Sequence, residues 1–222
     1  MPTIQFEFNG HHEMEIPEGD ICRYCAEEII EGLSYPMPEK DTGPPVWTVV
    51  DLGAHVGEFT IMAAARWPHA MIHAWEPNPQ VLGLLYQNVR LYNVKVYPKA
   101  VDVTARRDKL YFNTLGSVAA TVVSPGQAPP GAIWNAVDVD IDGPGAVTRL
   151  KPEVLKIDIE GPEGVLLEAM GDAVRDIYRI YVEFHHENIR KHIDKLLGDT
   201  HSLEYSRILQ ARQGELMYVR RE

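Results

Sequence analysis

Val49-Val50-Asp51-Leu52-Gly53-Ala54-His55-Val56-Gly57-Glu58-Phe59-Thr60 decides how the rest of the chain is read. A short β-branched run ends in an aspartate, two glycines follow four positions apart, and an Ala- and Met-rich helical run reaches from Phe59 to Trp67. Strand, tight glycine turn and helix, in that order, open a nucleotide-binding βαβ unit. Gly53 lets the chain turn sharply, and Gly57 removes a Cβ where the helix must pack against the strand. Ala54 and His55 stand where a dinucleotide turn carries its middle glycine, the one that lets a pyrophosphate approach the backbone. A cofactor without phosphates fits this turn better.

Ala70 to Trp75 is a second apolar strand, and it ends in Glu76, twenty-five residues after Asp51. An acid in that place accepts the two ribose hydroxyls of an adenosine and repels a 2′-phosphate. Asp51, at the tip of the first strand, suits a cationic or amino-bearing group. Together they describe a pocket for S-adenosylmethionine better than one for NAD. The plain alternative is a parallel-sheet turn whose acids are merely solvated.

The chain has 222 residues, 45% of them hydrophobic, enough for one well-filled α/β domain and short for two. Its net charge is −11, from 21 Lys and Arg against 32 Asp and Glu, which argues against a broad electrostatic grip on nucleic acid. No apolar stretch approaches membrane-spanning length, and Met1-Pro2-Thr3-Ile4-Gln5 does not read as a signal peptide, so a cytoplasmic enzyme is expected. Cys22 and Cys25 form a C-x-x-C, and His11 and His12 lie upstream. The same cysteines also fit the apolar stripe Ile21, Tyr24/Cys25, Ile29 and Leu33 of an amphipathic helix, so no structural zinc is expected.

Thr3 to Asn9 alternates as a strand, and a helix follows from about Gly19 to Leu33. Pro and Gly clusters at Ser34–Pro38 and Thr42–Pro45 make a loop. Residues 1–45 are therefore read as an N-terminal extension packed over the cofactor or substrate mouth, and 46–222 as the cofactor-binding domain. Beyond Glu76, Asn78 is a good N-cap and Pro79 a good first helical residue for a run carrying Val81, Leu85 and Val89. Val94 to Tyr97 is a third strand, with Ala100-Val101-Asp102 at its end near where an adenine would lie. Lys109–Asn113, Val118–Val123 and Ala136–Ile141 read as further strands or hairpins, with a loop at Ser124–Gly131.

Val154-Leu155-Lys156-Ile157-Asp158-Ile159-Glu160-Gly161-Pro162-Glu163 is the second informative stretch. Lys156, Asp158 and Glu160 share one face of what should be a buried strand, which is expensive unless that end opens into a pocket. The alternative is a solvated edge strand. The helix after Pro162 should turn Val165, Leu166, Ala169 and Met170 inward. Ile177 to Val182 is a further strand, running into Glu183-Phe184-His185-His186-Glu187. Glu183 and His185 point alike across Phe184 and are general-base candidates, whereas His186 reads as a solvated helix start. Leu203–Gln210 and Glu215–Arg220 form a closing antiparallel hairpin.

Asp51-Leu-Gly-Ala-His-Val-Gly-Glu-Phe-Thr60, Trp75-Glu-Pro-Asn-Pro79, Leu155-Lys-Ile-Asp-Ile-Glu-Gly-Pro-Glu163 and Glu183-Phe-His185, taken together, resemble the FkbM-type S-adenosylmethionine-dependent methyltransferases over roughly residues 47–187. That family typically has Asn at the place of His55 and a small residue at the place of Pro162. The resemblance implies a Rossmann-like α/β fold: a seven-stranded, mostly parallel sheet in the order 3-2-1-4-5-7-6, its last strand antiparallel, with helices on both faces.

The expected cofactor set runs through Asp51, Gly53, Ala54, His55 and Gly57, then Glu76 and Asn78, Ala100 and Val101, and Asp158. The expected chemistry lies with Asp158, nearest the methyl group, together with Glu160, Glu183 and His185. Asp158, Glu160 and Glu183 are also the set that would hold Mg²⁺ and acidify a sugar hydroxyl. The resemblance implies an O-methyltransferase acting on a small molecule, sugar or glycan. Its rivals are an RNA ribose methyltransferase, in which Lys156 and Asp158 would assist, and a catalytically silent fold used for protein contacts.

Overall fold

A computed structural model describes residues 1–40, 43–113, 120–122, 134–210 and 212–221. The chain opens with a hairpin, β1 (Thr3–Glu7) and β2 (His11–Glu15), and a helix, α1 (Asp20–Ile30). The sheet-forming part then runs β3 (Thr48–Leu52), α2 (Glu58–Arg66), β4 (Met71–Trp75), α3 (Pro79–Val89) and β5 (Val94–Tyr97). Four more strands follow: β6 (Ala100–Val101), β7 (Arg106–Asn113), β8 (Ala120–Thr121) and β9 (Trp134–Asp142). The rest is α4 (Gly145–Thr148), β10 (Val154–Ile157), α5 (Glu163–Ala169), β11 (Arg179–Phe184), α6 (Glu187–Leu197), β12 (His201–Gln210) and β13 (Gln213–Arg220).

Seven strands pair in the order β12-β13-β11-β10-β3-β4-β5. Numbered along the chain, that is 3-2-1-4-5-7-6 read from the β5 edge, with β13 antiparallel to both neighbours and the β5 to β11 run parallel. The central parallel strands are largely apolar on both sides because helices cover both faces, and the charged residues Asp51, Lys156 and Glu183 lie toward their carboxyl ends. Val50, Leu52 and Ile157 pack against Val147, Leu166, Leu167 and Ile193 of α4, α5 and α6. Val49, Ile72 and Ala74 face the other way, toward α2 and α3.

The hairpin's second strand was not legible: His11–Glu15 is polar, and only Met14 of it is buried. On α1 the buried stripe is Cys22 and Ala26, not Tyr24 and Leu33, which are exposed; the side chain of Ile21 lies outside the described residues. The inward face of α5 is Leu166, Leu167 and Met170, while Val165 and Ala169 face solvent. β6 to β9 form a separate four-stranded sheet, order β6-β9-β7-β8. The loop read at Ser124–Gly131 lies outside the described residues, as do parts of Thr42–Pro45 and Val118–Val123.

Gly53 and Gly57 both have positive φ, +80° and +102°. A Cβ on Gly53 would stand 1.8 Å from the carbonyl oxygen of Asp158, so the turn after β3 and the turn after β10 touch only because Gly53 has no side chain. Gly57 makes room for Leu85 and Val89 of α3, so its packing partner is a helix and not the strand expected from the sequence.

Candidate active site

The carboxyl ends of β3, β4, β10 and β11 open into a cavity of about 480 Å³. This is where ligands sit in doubly wound sheets, on the side where strand order reverses around the first strand. Gly53, Ala54, His55, Glu76 and Asp158 line it, as do Glu160 and Glu183. Ala100 and Val101 line a smaller adjoining hollow with Trp75, Pro77 and Leu110; Gly53 and Pro77 belong to both. Asp51, Gly57, Asn78 and His185 do not line the main cavity.

Asp51 is wholly buried and has found its cationic group within the protein. Thr60 donates to it at 2.6 Å, and Lys156 Nζ lies 3.3 Å from its other oxygen, an ion-pair distance without hydrogen-bond geometry. Lys156 also donates to the Gly53 carbonyl at 2.7 Å and lies 3.4 Å from Asp158. Burial alone would depress its pKa, but Asp51 and Asp158 outweigh burial and hold it above the ordinary lysine value. The β10 lysine thus ties the turns after β3 and β10 to one buried charge.

Glu76 is held by the turn it faces. The backbone N–H of His55 donates to one oxygen at 2.8 Å and that of Asn78 to the other at 2.7 Å. An ionised carboxylate has two acceptor sites per oxygen, so one remains on each. Burial pushes its pKa up to about 7, opposed by those backbone donors. Asn78 works through its backbone here, while its side chain caps α3 by accepting from Gln80 N at 3.1 Å. His55 sits at φ +50°, left-handed backbone that Asn and His tolerate better than most residues. Its Nδ1 lies 2.8 Å from Glu58, buried in the first turn of α2. Glu58 therefore occupies the helix N-terminus at which a pyrophosphate would otherwise be welcomed.

At the far end the acids are sorted by their partners. Burial raises the Asp158 carboxyl, but Lys156 and a hydrogen bond from Glu183 outweigh it and hold it below the usual range. Glu183 is pushed up to about 10 by burial and then by the Asp158 charge, so it is the protonated member of the pair. Gln213 donates to Glu183 at 2.6 Å. His185 stands behind these acids, 3.1 Å from Glu160, 3.5 Å from Glu163 and 3.8 Å from Glu183, in ionic contact without hydrogen-bond angles. Burial disfavours its charge, yet Glu160 and Glu163 outweigh burial and raise its pKa to about 11. His186 is exposed at the N-cap of α6, as read from the sequence.

The expected Mg²⁺ ligands Asp158, Glu160 and Glu183 are thus engaged with Lys156, His185 and Gln213. Among the described residues no group of three or more His, Cys, Asp and Glu is arranged to hold a metal ion. Cys22 is buried in α1, and Cys25 lines the cavity with its thiol pushed up to about 12, chiefly by burial. Sequence reading missed Tyr35, Glu58, Arg207, Gln213 and Glu215, all on the cavity wall, with Glu58 also at the start of α2. Tyr35 donates to Asp158 at 3.1 Å from a Pro-rich loop that shows no periodicity. Among the described residues, no helix is long and apolar enough to cross a membrane.

The profile of the methyltransferase FkbM domain matches residues 51–206. The chain is 24% identical over 163 residues to the hexuronic acid methyltransferase AglP of Haloferax volcanii, a match covering 73% of this chain and 65% of that protein, just under two thirds of the relative's length. Among solved structures it resembles methyltransferase FkbM from Methylobacillus flagellatus KT, with TM-score 0.54 and 16% identity over 79% of this chain and 44% of that one. It also resembles TYW2 of P. horikoshii in complex with MeSAdo, with TM-score 0.50 and 11% identity over 98% of this chain and 70% of that one.

Proposed function

This chain belongs to the FkbM family of methyltransferase domains, and from that premise we propose that it moves a methyl group from S-adenosylmethionine to a hydroxyl of a sugar, glycan or other small acceptor. The observation that carries the reading is the two-ended cavity. Glu76 stands at the end of β4 and Glu183 at the end of β11, three strand spacings or about 14 Å apart.

The residues at the β4 end fit the cofactor. Glu76 keeps one acceptor site on each oxygen for a ribose diol, and Trp75, Ala100 and Val101 line a small adjoining hollow on the side where an adenine would lie. Glu58 at the start of α2 disfavours a phosphate-bearing rival. When bound, S-adenosylmethionine supplies an electrophilic methyl group on a sulfonium centre.

The protein's own work is positioning and proton removal. Glu183 and His185, the bases expected from the sequence, both carry a proton at neutral pH. Asp158 is the ionised group, and in this proposal it takes the proton that the acceptor hydroxyl releases as its oxygen gains the methyl group. Lys156 and Tyr35 both hold Asp158 at Oδ2. Glu160 balances His185.

The Haloferax relative's named substrate supports a carbohydrate acceptor. RNA is disfavoured because the cavity wall holds seven carboxyl residues against Lys156 and Arg207. Calorimetric titration with S-adenosylmethionine, then detection of S-adenosylhomocysteine formed with methyl glycosides, tests the reading. No affinity for S-adenosylmethionine would overturn it, and full turnover in Asp158→Asn would remove Asp158 from its role.

A further inference from the structure

The cavity divides by the origin of its walls. Gly53, His55, Glu76, Lys156, Asp158 and Glu183 lie within the matched residues 51–206. Tyr24, Glu28, Ser34, Arg207, Gln213 and Glu215 lie outside, in two segments that flank the matched region on either side. Those segments are braced to each other. Ser34 donates to Glu215 Oε1 at 2.9 Å, Arg207 pairs with Glu28 and donates to Ser34 at 3.1 Å, and both Arg207 and Tyr205 donate to the Leu33 carbonyl. The wall facing the cofactor half is therefore built by α1 and the loop after it together with β12 and β13 of the main sheet.

Glu215 is the residue in that wall with something left to bind. It is 4% exposed, Oε1 is satisfied by Ser34, and Oε2 is buried with no hydrogen-bond partner among the described residues. Leaving a buried carboxylate oxygen without a donor is costly, and a ligand O–H or N–H removes that cost. Across the β11–β13 ladder Glu215 stands directly opposite Glu183, so the two side chains emerge on one face. The wall's cation, Arg207, is spent on Glu28, and Lys156 is enclosed between Asp51 and Asp158. With both cations paired, an incoming carboxylate or phosphate would meet the Asp158 charge and find no free cation; burial pushes the Glu215 carboxyl up to about 7, opposed by Ser34 and Arg207, so a ligand O–H or N–H is what would hold it ionised. Tyr24, 58% exposed, and Ile208, 63% exposed, add an apolar rim to the same wall.

We propose that Tyr24, Glu28, Ser34, Arg207, Gln213 and Glu215 form the acceptor subsite, with Glu215 as its specificity residue, and that it takes an uncharged or amine-bearing polyhydroxyl compound rather than an acidic one. The proposal rests on the methyltransferase reading above and deepens it.

Ligand-observed NMR on the full chain, saturated with S-adenosylhomocysteine, tests it with three probes: methyl glucoside, methyl glucosaminide and methyl glucuronide. The expected result is binding of the first two, with the glucuronide weaker by about tenfold or more, the value of one hydrogen bond to a charged group. Glu215→Ala should erase that preference, and the near-isosteric Glu215→Gln, which keeps the fold if the alanine variant does not, should weaken the glucosaminide most. The proposal falls if the glucuronide binds as well as the others, if neither of the first two binds, or if both variants leave all three affinities unchanged. Calorimetry of the wild-type chain with S-adenosylmethionine separates the two failures: lost cofactor affinity sinks the methyltransferase reading, whereas intact cofactor affinity with unselective glycoside binding sinks only the subsite.

Discussion

Tyr35 donates its phenol hydrogen to Asp158 at 3.1 Å, joining the loop after α1 to the turn after β10 across 123 residues of chain. The ring is 4% exposed, stands edge-on to Phe59 and Tyr181, and has Lys156 Nζ 5.4 Å from its centroid. Phenylalanine keeps the packing and the cation–π contact and removes only the hydroxyl. Tyr35→Phe should therefore cost about 1 kcal/mol of stability, the net worth of one hydrogen bond. It should also raise the Asp158 pKa, moving the acidic limb of the turnover–pH profile upward. Denaturant unfolding and the pH profile measure the two effects separately, and an unmoved acidic limb would show that Tyr35 does not act on the carboxylate.

Gly53 is the position where a methyl group does most harm. An added Cβ would overlap the Asp158 carbonyl, and the backbone sits at φ +80°. Gly53→Ala should lose about 3 kcal/mol or more, or fail to accumulate folded. Gly83 gives the control: it is exposed in α3, a Cβ added there would meet nothing within 4 Å, and it should gain about 0.5–1 kcal/mol as alanine. Thermal melts of both variants test the contrast, and equal behaviour would contradict the close approach of the two turns.

Glu183 makes the fold sensitive to base. Its pKa rises from 4.5 to about 10, through burial first and Asp158 second. Between those values the folded state binds more protons than the unfolded one, so stability falls as pH rises and is greatest below 4.5 as far as this group is concerned. His185, raised from 6.5 to about 11, acts with the same sign at higher pH. Glu183→Gln retains a hydrogen-bond donor toward Asp158 and cannot ionise. It should gain roughly 1 kcal/mol at neutral pH, about 3 °C in Tm, and flatten the decline between about pH 5 and 9. A melt series across pH decides it, and a slope as steep as wild type would place the titrating group elsewhere.

The parts legible in the sequence are those that depend on near neighbours in the chain. Asp51 to Thr60 and the strand ending at Glu76 spell out a turn and two strand tips locally, and the sheet built from them has the expected order. Glu215 was not legible, because its place depends on the register of β13 against β11, which puts it opposite Glu183. Tyr35 was hidden for a similar reason: a Pro-rich loop carries no period, and only tertiary packing brings it to Asp158. Its place at a strand end points Asp51 toward the ligand, but Lys156 on the adjacent strand reaches it first. Alternation past Phe184 points His185 into the cleft, yet β11 ends at Phe184 and the chain turns there, leaving the imidazole behind Glu160.

Glu76 provides the test of cofactor binding that is least dependent on the acceptor. Its carboxylate is already oriented by two backbone N–H groups, so a ribose diol meets an acceptor pair that needs no reordering. Glu76→Gln keeps the shape but removes the charge and replaces one acceptor with a donor. It should weaken S-adenosylmethionine by about tenfold to a hundredfold, one charge-assisted hydrogen bond of roughly 1.5–3 kcal/mol. Because burial has lifted the pKa to about 7, the wild-type affinity should itself depend on pH. The diol binds the ionised form, so affinity should fall as pH drops from about 8 to about 6, and the glutamine variant should show no such slope. Calorimetry at several pH values reads both effects. An affinity that is unchanged in Glu76→Gln and level with pH in the wild type would assign the ribose to another residue.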